Sequence, residues 1–315
     1  MPDDPIRHRD SQRQYGGAIP GEAGQPAFTL TMPQPSAVPV LIAVPHAGRA
    51  YPASLLEEMR NPGFSTLKLE DRYVDRLGEA VARETGAALL VAQAPRAMID
   101  LNRSPDDVDW EMVARQRALN RNSESPGLRV RSGLGLIPRR LPGLGELWKK
   151  PLDEAELSAR LGLIHTPYHQ SLAECLIRLR ARWGAALLID LHSMPPLNAR
   201  SGNAGPEFVL GDRFGASCHG TLVANCFSYF AQAKRSAAHN RPYAGGYVLE
   251  RHAMPDNGLH GLQLEIDRTS YLDSRMAEPG PGFASTVTLL VGLVRKLASE
   301  VADLGQVADW ASAAE

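Results

Sequence analysis

Two histidines and a glutamate of this chain follow short apolar runs, where a layered α/β protein presents side chains to a ligand. Val38–Val44 leads into Pro45-His46-Ala47-Gly48, Ala185–Leu191 into His192-Ser193, and Leu262–Leu264 into Glu265. In open α/β sheets ligands bind outside the carboxyl ends of the strands, so all three residues stand where a site is expected. Imidazole and carboxylate groups suit Zn²⁺ or another divalent transition ion, and three protein ligands leave one position open. A lone histidine at a strand end is more often a hydrogen-bonded structural residue. Two of them, with carboxylates on neighbouring elements, point to a metal centre.

The third ligand of such a centre should be a carboxylate. Asp71 and Asp75 lie four apart in a segment that reads as helix, hence on one face. Either can ligate, and either can instead serve as a helix N-terminal charge, with Asp75 paired to a nearby arginine. Asp100-Leu-Asn-Arg103 follows another apolar stretch. Arginine grips a carboxylate bidentately, and the asparagine amide can assist the same ligand or a developing oxyanion. Arg251 and His252 follow a short apolar run and are candidates for substrate contact, as against plain surface residues. Gly245-Gly246 allows close backbone approach to a ligand, or simply a turn. His165-Thr-Pro-Tyr-His169 has the His spacing of HExxH, but Thr166 replaces the glutamate, and packing or support is the better reading. Ser193 lacks the Gly-x-Ser-x-Gly elbow of a serine hydrolase, and nothing local activates Cys218 as a nucleophile.

The elements that must position these groups are legible as alternating strands and helices. Strands are expected over 37–44, 87–92, 97–101, 185–191, 208–210, 246–249 and 262–266. Helices are expected over 53–60, 69–85 and 284–303, with a further one over 151–183 broken at Pro167. Gly86 stands at a C-cap position. The pattern predicts an α/β fold, three layers of α/β/α around one sheet. Residues 1–26 read as a loosely ordered polar lead-in and 27–315 as a single catalytic domain. Residues 102–150 form a long loop region within it, of the kind that carries function.

The 315 residues include 34 basic and 35 acidic side chains, a formal net charge of −1. That balance excludes a nucleic-acid binder working through a broad basic face. Cys175, Cys218 and Cys226 match no zinc or CxxC spacing and read as reduced, buried thiols. The N-terminus lacks the apolar core of a secretory signal, and no stretch reaches the ~18 apolar residues of a membrane helix. A cytoplasmic protein acting on a small molecule is expected, with its oligomeric state open.

The motifs PHAGRAYP (45–52), EDRYVDRL (70–77), IDLNR (99–103), PYH (167–169), IDLHS (189–193), GGYVLERH (245–252) and GLHGLQLEIDR (258–268) together resemble the N-formylglutamate amidohydrolase family. They run in the family's order over about residues 38–273. The resemblance implies a mixed sheet similar to that of the zinc carboxypeptidase and aspartoacylase group, a hydrolase-like fold. It implies one zinc ion on His46 and His192, Asn102 and Arg103 as substrate clamp, and Glu265 as general base. It also implies hydrolysis of the N-acyl amide of a small anionic amino acid derivative such as N-formyl-L-glutamate, with Arg49, Arg139 or Arg251 reading an acidic side chain. The chain departs from the group's His-x-x-Glu pattern, because Arg49 stands three residues after His46. The third ligand must then come from elsewhere; Asp71 is the choice and Asp75 the alternative. A second departure lies at Gly133-Leu-Gly-Leu-Ile-Pro138-Arg139, where histidine-degrading members carry a Gly-Leu-Cys-Pro-like loop. The alternatives are a zinc carboxypeptidase or deacylase for a larger substrate, and a non-catalytic carboxylate binder on the same fold.

Overall fold

The computed structural model describes residues 11–114, 131–197 and 205–312. Its framework is an eight-stranded sheet: β1 (Ser11–Gly16), β2 (Phe28–Pro33), β3 (Val40–Val44), β4 (Ala88–Ala92), β5 (Ala186–Met194), β6 (Phe208–Gly211), β7 (Ala237–His239) and β8 (Leu259–Asp267). The strand order is β1-β2-β4-β3-β5-β8-β6-β7. The four central strands β4, β3, β5 and β8 are mutually parallel, while β2 runs antiparallel to β4 and β6 antiparallel to β8. The sheet is therefore mixed, as expected.

The central strands are buried at every residue, which explains their near-continuous apolar sequences. Alternate residues point to opposite faces. Ile42, Val44, Leu187, Ile189, Leu191, Leu262 and Leu264 pack on one side, under α3 (Val74–Thr85), α6 (Gly220–Gln232) and α8 (Phe283–Ser312). Leu41, Ala43, Ala186, Leu188 and Leu259 pack on the other, under α5 (Thr166–Trp183). The remaining helices are α1 (Ala53–Glu58), α2 (Pro62–Leu69), α4 (Glu154–Arg160) and α7 (Tyr247–His252). The chain leaves β3 for β4 on one side and later returns to β5 on the other. A topological switch point therefore lies between β3 and β5.

Several local expectations are corrected. Residues 69–85 are not one helix: α2 ends at Leu69, and α3 starts at Val74 after a turn in which Tyr73 takes a left-handed conformation (φ 59°). Tyr73 holds it because its ring is ringed by Arg49, Arg72 and Arg76, and its hydroxyl donates to Glu278 (2.7 Å). Residues 97–101 form turns instead of a strand, their backbone held by Met98 N–H to Pro95 O and Asp100 N–H to Leu136 O. The run 246–249 opens helix α7 instead of a strand. Pro167 does not break the 151–183 helix: a π turn at 161–165 runs directly into α5, and the Leu163 carbonyl that Pro167 cannot serve accepts from Ala18 N–H (2.9 Å). Residues 11–16, placed in the lead-in, pair with β2 as an edge strand, and helix α6 was not anticipated. Of the 102–150 region, residues 115–130 lie outside the described residues.

Candidate active site

The period of two in β5 and β8 builds the floor of the site. Asp190 and His192 share one face of β5, Gln263 and Glu265 share the same face of β8, and the register sets Gln263 beside Asp190 and Glu265 beside His192. His46 follows β3 on the other side of β5, so the two histidines flank the switch point. Their rings lie 4.7 Å apart. Gly48 fixes the backbone after His46: a Cβ there would stand 2.1 Å from the Ala94 carbonyl oxygen.

Asp71 enters from the turn between α2 and α3, tied to the same segment by its N–H to the His46 carbonyl (2.9 Å). Its Oδ2 faces Nδ1 of His192 at 3.0 Å and Nδ1 of His46 at 3.5 Å. His46, Asp71 and His192 thus offer three ligand atoms within 4.8 Å of one another, all buried. The far nitrogens are held by carboxylates: His46 Nε2 donates to Asp100 Oδ1 (2.7 Å) and His192 Nε2 to Asp190 Oδ2 (2.9 Å). Such partners fix the ring orientation of metal-binding histidines and raise their basicity. The donor set and its supports fit a divalent transition ion. Asp75, the alternative ligand, is turned to Arg49 in an ion pair.

The electrostatics follow from this burial and pairing. Burial alone would raise the Asp71 carboxyl, but hydrogen bonds with His192 and His46 hold it well below the usual range. Burial would lower His192, yet Asp190 and Asp71 outweigh it and raise it well above an ordinary histidine. Asp100 is also held low, its burial offset by Arg96 and His46. Glu265 behaves oppositely. Buried, and facing the charges of Asp71 and Asp190, it is pushed up to about 7 against the opposing pull of His192.

His46, Asp71, His192 and Glu265 open on one cleft. Asn102 and Arg103 line it and are firmly held. The Asn102 side-chain Oδ1 accepts from Val248 N–H (2.9 Å), and its Nδ2 donates to Gln263 Oε1 (3.2 Å). Gln263 in turn donates to Glu265 Oε1 (2.9 Å). Gly246 makes room for this amide, since a Cβ there would stand 2.4 Å from Asn102 Oδ1. Arg103 donates from Nε to Leu134 O (2.8 Å) and from Nη1 to Asn102 O (3.1 Å). Leu134, from the 102–150 region, thus helps to hold the Arg103 guanidinium at the cleft.

The other candidate substrate contacts lie outside the cleft lining. Arg49 is spent on Asp75 and the Tyr73 ring. Arg139 is bound by Asp109 (3.0 Å), Glu111 (2.8 Å) and Glu146 (3.1 Å). Arg251 is exposed and donates to Tyr247 Oη (2.9 Å). His252 is buried, with Nε2 on His169 Nδ1 (2.9 Å). None of the four lines the cleft. His169 Nε2 reaches Leu101 O (3.1 Å) and His165 Nε2 reaches Arg103 O (3.0 Å), so this histidine cluster supports the Asn102-Arg103 segment from behind.

The chain matches the family model described as N-formylglutamate amidohydrolase over residues 38–272, about three quarters of its length. The chain belongs to the N-formylglutamate amidohydrolase family. The matched segment contains every cleft residue named above, from His46 to Glu265. The chain is 33% identical over 250 residues to an N-formylglutamate deformylase of Pseudomonas aeruginosa, covering 76% of this chain and 84% of that one. It is 31% identical over 244 residues to one of Pseudomonas putida, covering 75% and 82%. A crystal structure of an N-formylglutamate amidohydrolase from Ralstonia eutropha superposes with a TM-score of 0.78 at 32% identity, covering 87% of this chain and 98% of the other. The motif resemblance and the α/β reading of the sequence are thereby borne out.

The sequence missed Lys68, Arg96, Tyr243, Gln263 and Arg268, all of which line the cleft. Gln263 and Asp190 carried a signal, since each lies two residues before a chosen residue of the same strand and so shares its face. Arg268 sat inside the last motif unremarked. It donates to Ser193 Oγ (3.1 Å) and to Glu70 O (2.6 Å), and approaches Asp71 Oδ1 (3.4 Å).

Proposed function

We propose that the protein is a metal-dependent amidohydrolase that removes the N-formyl group of an amino acid such as N-formyl-L-glutamate, giving the free amino acid and formate. The observation that carries this reading is the buried His46, Asp71 and His192 set, open to one cleft that also holds Glu265. The family membership and the names of the Pseudomonas relatives support the substrate class. Zinc is the ion best suited to two imidazoles and a carboxylate, and when bound it supplies a Lewis acid that polarises the amide and acidifies water.

The chain's own groups do the rest. Arg103 holds the α-carboxylate of the substrate, its guanidinium aimed by the Leu134 and Asn102 carbonyls. Glu265 takes a proton from water as the water oxygen bonds to the formyl carbon. It returns the proton to the amine nitrogen as the C–N bond breaks. A carboxylate pushed up to about 7 can both accept and return a proton near neutrality. The Gln263 amide occupies one Glu265 oxygen and leaves the other for that transfer. Asn102 joins the clamp to the base through Gln263, so binding and proton transfer share one hydrogen-bonded line.

One observation favours longer substrates as a second reading. A neighbouring open pocket shares Asn102, Arg103, Gly245 and Gly246 with the cleft. A hydrolysis screen of N-formyl amino acids, N-acetyl amino acids and short peptides separates the two. Deformylation of small dicarboxylic amino acids is expected to be fastest; faster cleavage of peptides makes the protein a peptidase or a deacylase of larger substrates.

A further inference from the structure

The cleft carries more positive charge than one α-carboxylate requires. Four cationic side chains line it among the described residues: Lys68, Arg96, Arg103 and Arg268. Three are committed to the protein. Arg96 is locked on Asp100 through Nε and Nη2 (both 2.9 Å). Arg268 is shared among Ser193, the Glu70 carbonyl and Asp71. Arg103 is buried and anchored by the Leu134 and Asn102 carbonyls. Lys68 differs from all three. It stands in the last turn of α2, three residues before the ligand Asp71, and is exposed to solvent within the mouth of the cleft. It has no hydrogen-bond or ion-pair partner among the described residues.

We infer that Lys68 is the specificity residue that recognises a second anionic group on the substrate, the side-chain carboxylate of an N-acyl dicarboxylic amino acid. This rests on the deformylase reading and deepens it. A dianionic substrate needs two cationic contacts, and Arg103 accounts for one. A lysine is a hydrated point charge on a flexible stem, suited to a carboxylate at varying reach, whereas a buried arginine fork serves the fixed α-carboxylate. Its place in the last turn of α2 puts a cation at the C-terminal end of the helix, where the helix dipole favours one. The charges of Arg96 and Arg268 are already balanced by Asp100 and Asp71, so a second substrate carboxylate meets less unopposed positive charge at either guanidinium than at Lys68.

The test compares kcat/KM for N-formyl-L-glutamate and for N-formyl-L-glutamine, which replaces the distal carboxylate with a neutral group of the same shape. Zinc-loaded wild type is expected to favour the glutamate compound by about tenfold or more, the scale of one charge-assisted contact, with the ratio falling as salt is raised. Lys68→Ala brings the ratio close to one, Lys68→Arg keeps most of it, and Lys68→Glu inverts it. A binding measurement on the Glu265→Gln background reads the same ratio without turnover. A wild-type preference that survives in Lys68→Ala, or equal losses on both compounds, overturns the assignment while leaving the deformylase reading intact. Absence of a wild-type preference despite brisk hydrolysis of both also overturns it. If wild type neither binds nor cleaves either compound, the deformylase reading itself fails, and Lys68 with it.

Discussion

Glu265 and Asp71 are both buried carboxylates on the wall of one cleft, yet their surroundings drive them in opposite directions. Asp71 faces two imidazoles and stays ionised, the state in which a carboxylate could ligate a metal. Glu265 is pushed up to about 7, by its burial first and then by the charges of Asp71 and Asp190, against the pull of His192. This difference predicts separable phenotypes. Glu265→Gln should retain zinc at wild-type stoichiometry by elemental analysis while kcat drops about 10²–10⁴-fold, the range for a lost general base. Turnover near wild type in that variant removes Glu265 from the proton path. At this scale the sequence was informative wherever a residue type is rare in its setting, as for His46 and His192 after apolar runs. It was silent on Arg49 against Lys68, because only the folded chain shows that Asp75 neutralises the first and that, among the described residues, no hydrogen-bond or ion-pair partner engages the second.

Elements, more than residues, explain why the site is rigid. β5 and β8 present Asp190, His192, Gln263 and Glu265 from fully buried strands whose register follows from their alternation. The Asn102-Arg103 segment has no such strand and is held instead by His165 and His169 on α5 and its preceding π turn, with His252 of α7 behind them. The sequence showed His165 and His169 four apart but offered no means of telling that both rings point at the carbonyls of a segment more than sixty residues away. Their burial has a consequence for acid stability. Burial and neighbouring positive charge depress His169 to about 2 and His252 to about 3, against an ordinary value near 6.5. Both are neutral in the folded protein, while the unfolded chain protonates them below about 6.5. Their contribution is complete above that pH and declines as pH falls towards 3, by about 1.4 kcal/mol per pH unit for each histidine. His252→Gln should therefore flatten the dependence of unfolding free energy on pH between 4 and 6 by up to one proton. An unchanged slope in denaturant titrations would show that His252 is not neutral in the fold.

At the scale of the whole molecule, the architecture was legible because strands covered on both faces are nearly uninterrupted in apolar sequence. The edge strand β1 escaped notice for the converse reason. Ser11–Gly16 is polar and mostly exposed, and it is a strand only through its partner β2. Helix α7 was misread because six residues with two apolar positions cannot distinguish a period of 3.6 from one of 2. Among the described residues no helix is long and apolar enough to cross a membrane, and Cys175, Cys218 and Cys226 are free and buried. The sheet brings together groups from β3, the α2–α3 turn, the 100–103 segment, β5 and β8, so the site exists only in the complete fold. A metal held by His46, Asp71 and His192 would join three of those elements. The most direct test follows glutamate release from N-formyl-L-glutamate by one preparation as purified, after removal of metal with a chelator, and after addition of zinc. Release that vanishes with the metal and returns with one equivalent of zinc is the predicted result. Undiminished release from protein shown by elemental analysis to be metal-free would contradict the account.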